Sequence, residues 1–168
     1  MENRGVTLIE LISALAISAI LGLIAVPTMS HFIQQQQLRS AAYNLYHLLV
    51  NARATAISQQ LRVSVWNQNG DWRSGVELFI DSNDNGQREN TETSLYTATD
   101  HENIHISGNR WVANYVSYLP NGRAATASGA FQAGTISLCK SGLNDKYQLV
   151  ISIGGRLRLQ KSPSNSCP

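Results

Sequence analysis

Five small groups of residues in this 168-residue chain have types and spacings suited to chemistry. His101, Glu102 and His105 spell H-E-x-x-H, in which two imidazoles on one helical face hold zinc while the glutamate activates water. Asp81, Asn83, Asn85, Gly86 and Glu92 fit D-x-N-x-N-G-x5-E, a spacing at which side-chain oxygens wrap a calcium ion around a glycine turn. Arg156 and Arg158 alternate in GGRLRLQK, an arrangement suited to phosphate oxygens. Cys139 and Cys167 are the only thiols, and Glu10 is a carboxylate inside an otherwise apolar run.

The elements that must position these groups decide between them. Asn103 to Ser107 alternates like a strand and Gly108 stops it, so H-E-x-x-H lacks its helix, and no third zinc ligand follows. Exposed residues on an edge strand or loop are the better reading. The calcium pattern is flanked by FI and SLY, which look like strands rather than the helices of an EF-hand, and β-turns demand the same Asn, Asp and Gly. A hairpin loop is preferred there, with Asp81, Asn83, Asn85 and Glu92 as the ligand set of the less favoured calcium site. No Ser/His/Asp or Cys/His constellation stands out, so neither an enzyme nor a cofactor is expected.

An apolar fraction of 43% is enough for one domain with a real core plus an appendage. Charge is distributed unevenly. Residues 71–103 carry eight acidic against two basic groups, whereas residues 104–168 carry seven basic against one acidic, which places any polyanion-binding patch in the last third.

The run Val6–Met29 has 24 residues and would reach about 36 Å as a helix, enough to cross a hydrocarbon core of about 30 Å. Beyond Pro27, apolar residues from Leu38 to Ile57 recur at helical spacing, which predicts one long helix, bent near Pro27 and running to about Gln60, with Tyr43, Tyr46 and His47 as packing residues. The pattern then changes to LRVSVWN, GVELFID, NIHISG, YVSYLP, GTISLCK, YQLVISI and RLRLQK, short alternating runs separated by turn residues. PNGRAATASGAFQAG, residues 120–134, reads as a surface loop. The fold class is α+β: a long N-terminal helix with a membrane-spanning part (6–29) packed on an antiparallel head (61–168).

A short leader ending in Gly5, the following VTLIELI with Glu10 as its fifth residue, and Pro27 at the far end of the run resemble the leader and first helix of type IV pilins and type II secretion pseudopilins. The resemblance implies cleavage between Gly5 and Val6 by a prepilin peptidase, N-methylation, and packing with other major and minor pilins. It places the chain in the inner membrane as a single-pass protein with a periplasmic head before assembly, and in the type IV pilus afterwards. Val6 departs from the phenylalanine usual in that family. An α-amino group at Val6, with a pKa of about 8, could neutralise Glu10 of a neighbouring subunit, although a charge near a helix end can also be tolerated by snorkelling.

Two cysteines in a head outside the inner membrane predict a disulfide, worth about 3 to 4 kcal/mol in the chain-entropy model, with two buried thiols as the alternative. GTISLC, then YQLVISIGGRLR, then a terminal cysteine is similar to the C-terminal part of the GspH/FimT group of minor pilins. In FimT-like members a G-R-x-R motif is implicated in binding DNA during natural transformation, and Gly155, Arg156, Leu157 and Arg158 match it. On that reading Arg156 and Arg158 share an exposed strand face opposite Leu157 and Leu159, and Lys161, Lys140, Lys146 and Arg123 widen the patch. The alternatives are charge protection of an edge strand and a structural minor pilin that primes or caps a filament.

A leader ending in Gly5 before an apolar helix predicts that the native protein begins at Val6. Intact-mass measurement of the membrane or filament form checks this, and an assembled chain that keeps Met1 would refute it.

Overall fold

The computed structural model describes residues 7–98, 103–163 and 167, and of residues 24–28 the backbone only. The leader positions Gly5 and Val6 and the pair His101 and Glu102 lie outside the described residues. Helix α1 runs Leu8–Gln59. The chain divides into two compact units, Met1–Gln36 and Gln37–Pro168.

In the first unit, the helix begins with a capping box that the sequence spells as Thr7-Leu8-Ile9-Glu10. Thr7 N–H donates to Glu10 Oε2 at 2.9 Å, Thr7 Oγ1 donates to the same oxygen at 3.0 Å, and Glu10 N–H reaches Thr7 Oγ1 at 3.4 Å. These bonds satisfy amide donors that an α-helix start leaves without partners. Leu8, Leu11, Leu15 and Ile20 are all exposed around the helix, so the surface is apolar on every side. Its serines do not interrupt this, because Ser13 and Ser18 donate to the carbonyls of Ile9 and Ala14 four residues back. Among the described residues no helix is long and apolar enough to cross a membrane; the described side chains break at residues 24–28, inside the run Val6–Met29.

In the second unit, the remaining turns of α1 bury Leu38, Ala41, Ala42, Leu45, Leu48, Leu49, Ala52 and Ala56, one stripe at helical spacing. Each fully buried leucine contributes about 1.5 to 3 kcal/mol. Ile57, expected in this stripe, is instead exposed, and Tyr43 and His47 are surface residues rather than packing ones. They form a row on the outer face, with Arg39 over the Tyr43 ring at 5.5 Å and His47 6.4 and 5.6 Å from the Tyr43 and Tyr46 rings. The helix ends at Gln60, whose left-handed backbone (φ 56°) breaks the helical path while its side-chain amide donates to Ile57 O.

Eight strands follow: β1 Val63–Asn67, β2 Val76–Ile80, β3 Ser94–Ala98, β4 His105–Gly108, β5 Tyr115–Tyr118, β6 Gly134–Cys139, β7 Asp145–Ile151 and β8 Leu157–Pro163. They form two four-stranded antiparallel sheets, ordered β3-β2-β1-β5 and β4-β6-β7-β8. Inward residues of both sheets, including Val63, Val65, Val116, Ile136, Leu138, Leu149 and Ile151, join the helix stripe in one core.

Residues 120–134 are not a surface loop. Bridges Tyr118↔Ala124 and Ala125↔Phe131 make them a hairpin, and Ala124, Ala125, Thr126 and Gln132 are buried. The side chain of Gln132 accepts from Ser117 N–H and donates to the carbonyls of Trp111 and Tyr115. Small residues fit because this segment lies close against its neighbours: a Cβ on Gly155 would stand 2.2 Å from Gly122 O and 3.2 Å from Arg123 Cα. Gly155 also has φ +75°, where side chains are strained.

Two stability changes are expected. Gly155→Ala meets both the carbonyl and the positive φ, and should cost about 2 kcal/mol or more, read as a lowered urea midpoint; an unchanged midpoint would mean that the contact is loose. Tyr118 is fully buried, its hydroxyl has no partner among the described residues, and burial raises its pKa well above the usual phenol value while the charge of Arg53 opposes that shift. Tyr118→Phe should therefore stabilise the protein by about 1 kcal/mol, a raised midpoint, since it removes an unsatisfied polar group without opening a cavity.

Candidate functional site

The basic residues singled out in the last third separate into two places. Strand β8 begins only at Leu157, because residues 152–156 form the turn between β7 and β8: Gly155 N–H donates to Ser152 O at 2.8 Å and Arg156 N–H to Ser152 Oγ at 3.1 Å. Arg156 therefore belongs to the turn and Arg158 to the strand, opposite Val150. The ladder nevertheless continues to Arg156, whose carbonyl accepts from Ser152 N–H at 3.0 Å, so Arg156 and Arg158 are the exposed alternate positions around Leu157, and Arg156 also lines a groove of about 380 Å³ with Tyr46, Val50, Arg53, Ile57 and Leu157. Leu157 and Leu159 pack against the core as the alternation requires. Both guanidinium groups are exposed, and neither has a charged or hydrogen-bonding partner among the described residues.

The Gly155 contact brings Arg123 to the same place. The turn Leu119–Arg123 is closed by Gly122 N–H to Leu119 O and Leu119 N–H to Arg123 O, and Asn121 Oδ1 accepts from Arg123 N–H. Arg53, on α1, donates its Nε–H to Gly122 O at 2.8 Å, which pins this turn to the helix. Sequence reasoning missed Arg53 because it is 103 residues from Arg156 and lies on a helix read only for packing. Arg53 and Arg156 thus line one groove, the backbone of Arg123 stands against Gly155 beside it, and Arg158 follows two residues along β8; planar guanidinium forks of this kind suit bidentate phosphate contacts.

The lysines lie elsewhere. Lys146 pairs with Ser162 at the far end of the hairpin, six residues along β7 from Ser152 or about 20 Å. Lys140 donates to Gln37 Oε1 at 2.7 Å. Lys161 forms an ion pair with Asp145 at 2.7 Å, and that hydrogen bond raises its pKa. The structure does not bring Lys140, Lys146 or Lys161 to the arginine turn.

The calcium-like loop is closed by its own amides. Asp81 accepts from Asn85 N–H, Gly86 N–H and Ser64 Oγ; Asn85 Oδ1 accepts from Gln87 N–H; Glu92 accepts from Ser82 N–H and Glu89 N–H. Asn83 Oδ1 accepts from Asn85 N–H as well. Arg62 stands 3.7 Å from Asp81 and 3.6 Å from Asp84, supplying the positive charge from within the chain. Of the H-E-x-x-H group only His105 is described, and it opens strand β4, not a helix. Among the described residues no group of three or more His, Cys, Asp or Glu could hold a metal ion. Cys139 and Cys167 are joined in a disulfide, with Cα atoms 5.7 Å apart.

Comparison with known proteins agrees with this architecture. Residues 1–26 match the prokaryotic N-terminal methylation motif, and residues 41–155 match the type II transport protein GspH model. The type IV minor pilin FimU of Pseudomonas aeruginosa superposes with a TM-score of 0.62 at 22% identity, covering 82% of this chain and 99% of that one. The minor pseudopilin EpsH of the Vibrio cholerae type 2 secretion system superposes with a TM-score of 0.55 at 15% identity, covering 74% and 96%. No curated protein matches the chain by sequence. With the family model spanning well over half its length, the chain belongs to the GspH family of type II transport proteins and is not an enzyme.

Proposed function

We propose that this minor pilin binds extracellular DNA without sequence specificity for uptake in natural transformation, through Arg156 and Arg158 with Arg123 and Arg53 beside them. The observation that carries the reading is the pair of exposed guanidinium groups at and just after the β7–β8 turn, without partners among the described residues and within a segment of strong positive charge. Contacts of this kind go to phosphates, which fix position and carry no base information. The anchoring reading completes the picture: residues 1–5 are a leader removed by prepilin peptidase, residues 6–60 form the helix with its membrane part at 6–29, and residues 61–168 form a head on the periplasmic side of the inner membrane before assembly.

A second reading, a structural minor pilin that primes or caps a pilus or secretion pseudopilus, is favoured by the fold shared with FimU and EpsH and by the exposed row of Arg39, Tyr43 and His47 on α1. It needs no DNA.

Binding of duplex DNA by the full chain in detergent separates the two. If about four phosphates are neutralised, log K against log salt should slope at about −3.6. Replacing Arg156 and Arg158 together by Gln should weaken binding on every sequence and flatten the slope by about 2, with the disulfide and thermal midpoint unchanged. No binding at low salt, or full binding by the double variant, would give the structural reading first place.

A further inference from the structure

Phe131 is the feature of this region that phosphate binding leaves unused. This residue is 56% exposed on the 120–134 hairpin, while the neighbouring Gln132 is fully buried, so alternation turns Phe131 outward. The Arg123 guanidinium carbon stands 4.8 Å from the ring centroid, a cation–π contact that holds the ring. The backbone of that same Arg123 packs on Gly155, next to Arg156. One arginine side chain therefore separates an exposed aromatic face from the phosphate-binding turn.

Resting on the DNA reading above, we propose that Phe131 is a stacking platform for an unpaired base, so that this site takes single-stranded DNA in preference to duplex. Bases of a single strand can turn out and lie on a ring while the backbone follows nearby cations, whatever the sequence. In a duplex the same faces are stacked inside the helix and cannot reach it. The arginines serve both forms; the ring adds affinity only for the unpaired one.

The test uses the full chain in detergent at fixed salt, with three labelled probes of about 20 nucleotides: oligothymidylate, an abasic strand of the same length, and a duplex. The parent should bind oligothymidylate about tenfold more tightly than the abasic strand. Phe131→Leu should remove that advantage and leave abasic and duplex binding within about twofold, and Phe131→Trp should keep it. Equal binding of oligothymidylate and abasic strands by the parent overturns the platform, and that comparison needs no variant to fold. If the Arg156 and Arg158 variant loses binding while those two strands bind alike, DNA binding stands and the platform falls. If the parent binds none of the probes, the DNA reading itself fails and the platform fails with it.

Discussion

A single buried guanidinium organises the head. Arg62, at the entry to β1, is almost wholly enclosed and donates to Ser117 Oγ at 2.6 Å and to the carbonyls of Ala125 and Thr126, with Asp81 and Asp84 as its counter-charges. Taking a charge from water costs several kcal/mol, and only complete hydrogen bonding and opposite charge offset it. That requirement constrains three segments far apart in the chain. Asp81 gathers its loop's amides, Ser64 and Ser117 are held 2.8 Å apart across β1 and β5, and the 120–134 hairpin turns the carbonyls of Ala125 and Thr126 inward. The inward hairpin then places Gly122 and Arg123 against Gly155, so the arginine turn inherits its position from a residue that never touches it.

Much of this architecture was legible in the sequence. Strict alternation in GTISLC and YQLVISI marked β6 and β7, and Leu38, Ala42, Leu45, Leu49 and Ala56 marked the buried helix face, because burial on one side imposes a period. Where polar contacts between distant residues decide, no period exists to read. Arg62 and Thr126 are 64 residues apart, so PNGRAATASGAFQAG looked like a solvated loop although its small side chains serve close packing. The calcium pattern was ambiguous for a related reason, and the preferred loop reading is the one that the amide bonds to Asp81 and Glu92 agree with. Asn and Asp at that spacing suit a metal ion, and they suit equally a loop that satisfies its own amides.

Within the site, the residue types were readable and their grouping was not. Arg156 and Arg158 stood out, but the groove that Arg156 shares with Arg53 joins the β7–β8 turn to a helix 103 residues earlier, and no local pattern announces that. Lys161 looked like part of the same patch until Asp145, sixteen positions earlier, proved to face it across the β7–β8 ladder. A compact ammonium group settles readily against one carboxylate, whereas the exposed guanidinium groups keep their donors open. Near the N-terminus, Thr7 and Glu10 carried a plain capping signal, which the apolar character of the run overshadowed.

The Cys139–Cys167 bond acquires a mechanical meaning from the strand order. β8 is an edge strand, held along one side only by β7, and a lateral load on such a strand is resisted by ladder bonds that break one after another. The disulfide joins the chain beyond β8 to the end of β6, two strands inward. A pull delivered at Arg156 or Arg158 is therefore shared between the hydrogen-bonded ladder and a covalent link to an interior strand, and the last strand cannot peel away from its free end. The exposed edge is thereby made into an anchored one.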